Sequence, residues 1–174
     1  MNDTQQGQQG EEKRQRFLDC LLRWSSTINL TGATTREQAH ATLVLPILGA
    51  EALLAGQVID VGSGNGSPGL VLATLRPDLH FTLLEPRAKR WAFLREAARD
   101  MGVENVTVLR ERSDRHAGKP GDTITMRAVG LDPRTLLPLL APGGRVLVFG
   151  GPPIAGAESL RLPSGAGVQR WCST

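Results

Sequence analysis

The stretch Asp60-Val61-Gly62-Ser63-Gly64-Asn65-Gly66-Ser67-Pro68-Gly69 constrains the fold more than any other part of the chain. It follows a short apolar run, Val58-Ile59-Asp60-Val61, that reads as a buried strand. After it, Pro68 is suited to open a helix at its first position. A glycine-dense turn between a strand and a helix is where open α/β sheets bind their ligands. Glycines let a ligand approach the backbone closely. The helix N-terminus adds free N–H groups and partial positive charge.

Two ligand chemistries fit the turn. Gly64-x-Gly66-x-x-Gly69 matches the dinucleotide fingerprint of an NAD-dependent oxidoreductase. Asp60-x-Gly62-x-Gly64-x-Gly66 matches the version found in S-adenosylmethionine-dependent methyltransferases. Both expect an acidic residue about 20 positions on, to accept protons from the ribose hydroxyls, and Glu85 is there. Asp60 favours S-adenosylmethionine. A carboxylate at the strand end suits the cationic amino-acid half of that cofactor and repels a pyrophosphate. The sequence also lacks an obvious hydride-transfer constellation or a second catalytic domain.

The pattern around the turn supports an α/β reading. Residues 1–10 are rich in Gln and Gly and read as a disordered lead. Phe17, Leu21, Trp24 and Ile28 recur at helical spacing, which predicts a helix over 11–26. A second helix is expected after Thr35, with Ala39, Leu43 and Ile47 facing inward and Pro46 and Gly49 ending it. Strands are expected at 58–61, 80–85, 106–109, 122–126 and 145–149, with helices between them at 68 onward, 87–101 and 132 onward. Residues 168–172 read as one late strand. Strand and helix alternate about five times. This predicts a Rossmann-like, mostly parallel sheet with helices on both faces and an N-terminal helical extension. The expected organisation is one domain over 11–174: helices over 11–55, a cofactor-binding core over 56–150 and a short tail over 151–174.

Composition excludes several classes. The apolar runs are broken by Gly, Pro or charge, so none is long enough to span a bilayer. Residues 1–16 lack an apolar signal core, which points to the cytoplasm. Cys20 and Cys172 give neither a disulfide framework nor a zinc site, so no metal is expected. The net charge is +3 and the pI about 9.4. The basic residues concentrate: Arg87, Lys89, Arg90, Arg95, Arg99, Arg110, Arg112 and Arg115 occupy one third of the chain. Such clustering can collect phosphate, and it can equally be a solvated face.

Several motifs stand in order along the chain: Trp24-x-x-x-Ile28-Asn29-Leu30-Thr31, the 60–69 turn, Arg76-Pro77, Leu83-Leu84-Glu85, Lys89-Arg90-x-x-Phe93-Leu94, Glu104-Asn105-Val106 and Arg127-Ala128-Val129. Together they resemble the bacterial GidB (RsmG) family over about residues 17–150. That family methylates N7 of a guanosine in 16S ribosomal RNA. The resemblance implies S-adenosylmethionine as cofactor and 16S rRNA or the small ribosomal subunit as partner, and a monomer is expected. It implies a cofactor site made of Asp60, Gly62, Ser63, Gly64, Gly66, Ser67, Glu85, Ser113, Asp114 and Arg127. Ser113 and Asp114 fall on the adenine-contacting segment, and Arg127 falls beside the reaction centre as the expected catalytic residue. RNA contacts are expected from Arg87, Lys89, Arg90, Arg95 and Arg99. Thr42, Leu43, Pro46, Ser67 and Gly150 differ from the residues that the family usually carries there. A non-catalytic or repurposed cofactor-binding relative is therefore the alternative.

Overall fold

The computed structural model describes residues 3–172, with side chains from residue 5 onward. Seven strands form one sheet: β1 (Val58–Val61), β2 (Phe81–Leu84), β3 (Val106–Leu109), β4 (Gly121–Arg127), β5 (Leu140–Phe149), β6 (Glu158–Arg161) and β7 (Gly167–Cys172). Their spatial order is β3-β2-β1-β4-β5-β7-β6. The first five run parallel, and β7 and β6 add as an antiparallel hairpin. The strand order reverses between β1 and β4, which places the switch point where the glycine turn leaves the sheet.

The helices are α1 (Asp3–Ser25), α2 (Arg36–Ala39), α3 (Gly69–Leu75) and α4 (Ala88–Met101). Gly102 ends α4 in a left-handed conformation, φ 65°, as a C-terminal glycine commonly does. Beyond α2 the chain tightens through a π turn (His40–Val44) and a 3-10 turn (Leu45–Ile47) that contains Pro46.

Strand alternation divides the core in two. Val58, Phe81, Leu83, Leu147 and Phe149 face α1, α3 and α4. Ile59, Val61, Leu84, Ile124, Met126, Val146 and Val148 face the other way, where Leu136 and Leu139 of a 3-10 helix (Pro133–Leu139) cover them. Helices thus lie on both faces, as expected: the α-helices on one and the 3-10 helix on the other. The β4–β5 connection has Pro133 and Pro138 inside seven residues, and proline removes the N–H groups an α-helix needs.

Two expectations change. The described part of the 1–10 segment is helical from Asp3, not a disordered lead; residues 1 and 2 lie outside the described residues. Its Gly10 gives room where Arg14 Nη1 and the Thr74 carbonyl close in. Buried Arg14 donates to Thr74 Oγ1 (3.0 Å) and pairs with Glu11, so α1 is fastened to α3 by a satisfied charge. The tail carries two strands rather than one. Among the described residues no helix is long and apolar enough to cross a membrane.

α1 also sets the glycine turn. A Cβ on Gly66 would stand 2.9 Å from both Phe17 Cε2 and Leu70 Cδ1, so only glycine fits between α1 and α3. Phe17 is fully buried. Phe17→Ala should therefore lower stability by about 3–5 kcal/mol, read as a shift of the urea midpoint. It should also weaken cofactor binding, because the turn loses its backing.

Candidate functional site

A cavity of about 310 Å³ opens at the carboxyl ends of β1, β2 and β4. Val61, Gly62, Leu84, Pro86, Val129 and Leu131 give it an apolar floor and wall. Glu111, Arg112, Ser113, Asp114 and Thr135 give it a polar rim. Gly62 is held at φ 68°, and a Cβ there would lie 2.9 Å from Val129 Cγ2. The cavity is therefore closed on one side by the β1 turn and on the other by the segment after β4.

Glu85 borders the cavity between two of its lining residues and is 3% exposed. The Gly64 N–H donates to its Oε2 (3.0 Å), and the Arg87 N–H donates to its Oε1 (2.8 Å). Both oxygens keep a lone pair for a further donor. Gly64 lies at φ 47° with open space beyond 3.5 Å at its Cβ position, close to Glu85 Oε2 and Arg90 Nη1. Gly62, Ser113 and Asp114 thus line one space, and the hydrogen-bonded pair Gly64 and Glu85 lies next to it in the chain, behind Gly62 and between Leu84 and Pro86.

Asp60, Ser63, Gly66 and Ser67 are not at that space. Asp60 is fully buried and points with Val58 toward the helical face, not with Val61 toward the cavity. Its Oδ1 accepts from Thr125 Oγ1 (2.6 Å), the residue beside it in the β1–β4 register. Its Oδ2 lies against Gly69 without a hydrogen-bond partner. Burial pushes the carboxyl up to about 6, against the lowering influence of Thr125, Ser63 and the Gly69 amide. Ser63 is buried and donates to the Asp60 carbonyl (3.0 Å). These residues shape the turn from below, and direct cofactor contact by Asp60 is corrected to an indirect role.

Arg127 also departs from its expected place. It lines neither this cavity nor the smaller one beside it. Nη1 donates to Ser67 Oγ (2.8 Å) and Nη2 to the Thr42 carbonyl (2.7 Å), while Ser67 Oγ donates to the Leu43 carbonyl (2.7 Å). Burial lowers its pKa from the usual arginine value. Arg127 here ties the turn to the segment after α2, and three of the five unusual positions, Thr42, Leu43 and Ser67, meet at that tie.

The basic residues divide. Arg90 donates to the Asn29 carbonyl (3.3 Å), Arg95 stacks over Trp91 at 4.9 Å, and Arg99 pairs with Asp100. Arg112 pairs with Asp114. Arg87 and Lys89 are exposed, and their side chains have no partner among the described residues. The sequence reading missed Glu111, Val129, Leu131 and Thr135. Glu111 meets His116, whose Nδ1 lies 2.8 Å from Glu111 Oε2, a contact that no sequence period announces. One cluster, Cys20, Glu96 and Asp100, has metal-like spacing. Arg23 already bonds both carboxylates, and burial pushes the Cys20 thiol up to about 11, so the cluster suits a cation that is already present.

The Asp60 environment predicts a pH effect. Its ordinary value is 3.8 and its folded value about 6. Between these values the folded state holds a proton that the unfolded chain has lost. Stability from this group is therefore full below pH 4, falls as pH rises to about 6 and is level above. The shift corresponds to roughly 3 kcal/mol at most. Asp60→Asn keeps an acceptor for Thr125 and should remove this slope. Urea unfolding of both proteins between pH 4 and 7 measures the difference; parallel curves would contradict it.

The family model described as rRNA small subunit methyltransferase G (GidB) matches residues 10–153. A protein of Halorhodospira halophila named ribosomal RNA small subunit methyltransferase G is 37% identical, over 92% of this chain and 85% of its own length. One of the same name from Wolinella succinogenes is 35% identical, over 83% of this chain and 77% of its own. An RNA methyltransferase of Salinibacter ruber, solved with S-adenosyl-L-homocysteine, shares the fold with a TM-score of 0.55 at 20% identity, over 67% of this chain and 80% of that one. With this match across most of its length, and with the turn, Glu85 and the cavity in the places described, the chain belongs to the GidB family of small-subunit rRNA methyltransferases.

Proposed function

We propose that the protein transfers a methyl group from S-adenosylmethionine to N7 of a guanosine in 16S ribosomal RNA. The observation that carries this is the 310 Å³ cavity between Gly62, Leu84-Pro86 and Ser113-Asp114, with the Glu85 carboxylate held beside it by the Gly64 N–H, in a chain of this family. The residues fit the cofactor. Glu85 offers unused lone pairs to the ribose hydroxyls, the apolar walls suit adenine, and Ser113 and Asp114 offer acceptors to its amino group. Bound there, S-adenosylmethionine supplies an electrophilic methyl on a sulfonium.

The remaining work falls to positioning. Guanine N7 has a free lone pair, so no general base is required. Rate then depends on holding N7 in line with the methyl–sulfur bond and on charge placed to suit the shift of positive charge from sulfur to purine. Gly62 and Val129 set the boundary of the cofactor space. Arg127 fixes the turn through Ser67 and Thr42, a positioning role rather than a contact with the reacting atoms. In duplex RNA the N7 edge lies in a deep, narrow groove, so an unpaired or opened guanosine is the target. Arg87 and Lys89, free at the start of α4 beside Glu85, are suited to collect its phosphates.

The second reading, a cofactor-binding relative without transfer activity, draws on one observation. Arg127 is committed to Ser67 and Thr42, where the family's acceptor side was expected. Incubation with tritiated-methyl cofactor and under-methylated small subunits, followed by mass spectrometry of the nucleosides, separates the two. Label in 7-methylguanosine supports the first reading; cofactor binding without label supports the second.

Two variants test the parts. Glu85→Gln keeps one acceptor but loses charge. A charge-assisted hydrogen bond contributes roughly 1.5–3 kcal/mol, so adenosylhomocysteine affinity should fall about tenfold or more by calorimetry. Reversing Arg87 and Lys89 to Glu should weaken rRNA binding and flatten its salt dependence, while adenosylhomocysteine binding stays unchanged. Equal RNA affinity before and after reversal would remove these residues from the RNA surface.

A further inference from the structure

A second cavity, about 200 Å³, lies beside the first at the carboxyl ends of β4 and β5. The two share Val129 and Leu131 as a common wall. Its other walls include Met126, Val148, Pro152 and Ile154, and Asp132 is the one charged side chain among its lining residues. The space is maintained by unusual backbone. Ala128 sits at φ 54°, a conformation that L side chains rarely adopt, and it turns the 128–132 segment outward. On the far side Gly150 and Gly151, at φ 74° and 85°, leave the mouth open: nothing lies within 4 Å of a Cβ at either. Leu131 is left 37% exposed at the shared wall, a large apolar side chain without full cover.

The mouth has its own polar arrangement. Asp132 Oδ1 accepts from the Arg134 N–H (2.9 Å), and its Oδ2 accepts from Arg134 Nη1 (3.1 Å). Arg134 Nη2 reaches across to the Ala155 carbonyl (3.4 Å). Arg134, itself outside the cavity lining, thus ties the β4 side to the tail side and fixes the Asp132 carboxylate. Each Asp132 oxygen keeps a lone pair.

We propose that this second cavity receives the target guanine, with Asp132 reading its Watson–Crick edge. The inference rests on the methyltransferase reading above and names the acceptor side of that site. The volume is below the ~300 Å³ at which pockets for drug-sized ligands begin, the scale of a single base. Enzymes that act on a base read the extruded base by hydrogen bonds to that edge and by stacking on apolar side chains. A carboxylate only accepts. Guanine alone among the four bases presents two adjacent donors on that edge, N1–H and the 2-amino group. Adenine and cytosine each place an acceptor beside their amino group, which a carboxylate repels. Holding guanine by N1 and its amino group leaves N7 on the opposite side of the ring, free for the donor. Methylation at N7 makes the base cationic, and a carboxylate already at its edge stabilises that charge as it develops.

Two variants test this in the methyl-transfer assay with under-methylated small subunits. Asp132→Asn keeps an oxygen to accept the Arg134 N–H but sets a donor against the guanine edge. Its kcat/KM should fall tenfold or more, with adenosylhomocysteine affinity unchanged; Asp132→Glu, which keeps the charge, should recover part of the loss. Ile154→Trp fills the cavity and should abolish transfer, again with adenosylhomocysteine affinity and melting temperature retained. Wild-type rates in Asp132→Asn and Ile154→Trp, alongside formation of 7-methylguanosine by the parent protein, would overturn the subsite alone. If the parent forms no 7-methylguanosine, the functional reading fails, and the guanine assignment falls with it.

Discussion

The Glu85 carboxylate holds the carboxyl edge of the sheet together. It is almost fully buried and takes one backbone N–H from each of two elements, Gly64 in the β1 turn and Arg87 at the start of α4. A buried carboxylate without partners would be severely destabilising. Bonded to two N–H groups, it becomes the point that fixes turn, strand end and helix start relative to one another. In the cofactor mode proposed above, the ribose shares these same oxygens. Loop order and ligand affinity are therefore set by one group, and charge removal at Glu85 is felt by both.

The helical extension completes the turn from behind. Phe17 and Leu70 leave no room for a side chain at Gly66. Asn65 Nδ2 donates to the Leu30 carbonyl (3.2 Å), and Arg90 reaches the Asn29 carbonyl. The segment after α1 is thus pinned over the turn by two contacts made to backbone carbonyls. Arg127, Ser67 and the Thr42 and Leu43 carbonyls form a third tie on the α2 side. Ser67 is needed for it, because its hydroxyl both accepts from Arg127 and donates to Leu43. Of the departures from the family pattern at 42, 43 and 67, only Ser67 enters this tie through its side chain; Thr42 and Leu43 contribute backbone carbonyls.

How far the sequence revealed this differs from element to element. β1 and β3 lie where the apolar runs placed them, β1 fully buried at the sheet centre and β3 half-buried at its edge. α1 begins eight residues earlier than expected, because Gln-rich composition hides a helix whose first turns are secured by tertiary contacts such as Arg14 with Thr74. β6 is polar and largely exposed, and its pairing with β7 supplies what its pattern lacks. The positions of Gly62 and Glu85 at the ends of β1 and β2 were legible because spacing alone locates a strand end and its neighbour. Asp60 was misplaced for a reason that alternation contains. With Val61 facing the cavity, the residue before it must face the helices. Arg127 follows the same rule two residues after Thr125, on the helical face. Glu111, Leu131 and Thr135 come from irregular segments, where no period predicts direction.

The two faces of the sheet consequently serve different ends. On the helical face two separate hydrogen bonds, Thr125 to Asp60 and Arg127 to Ser67, brace β4 against β1 and the turn. On the other face only 3-10 helix and loop cover the strands, and the incomplete cover leaves the two adjoining cavities. Methyl transfer to a neutral nitrogen asks for alignment and little proton chemistry. A rigid turn on one side and a divided space on the other meet that demand. Val129 is the element common to both: it closes against Gly62 and forms the wall between the cavities. With donor and acceptor in the two cavities as proposed, the methyl passes beside Val129. Its precision then depends on Ala128, whose strained backbone sets where Val129 stands, and so on the rigidity of β4 that holds Ala128 in place.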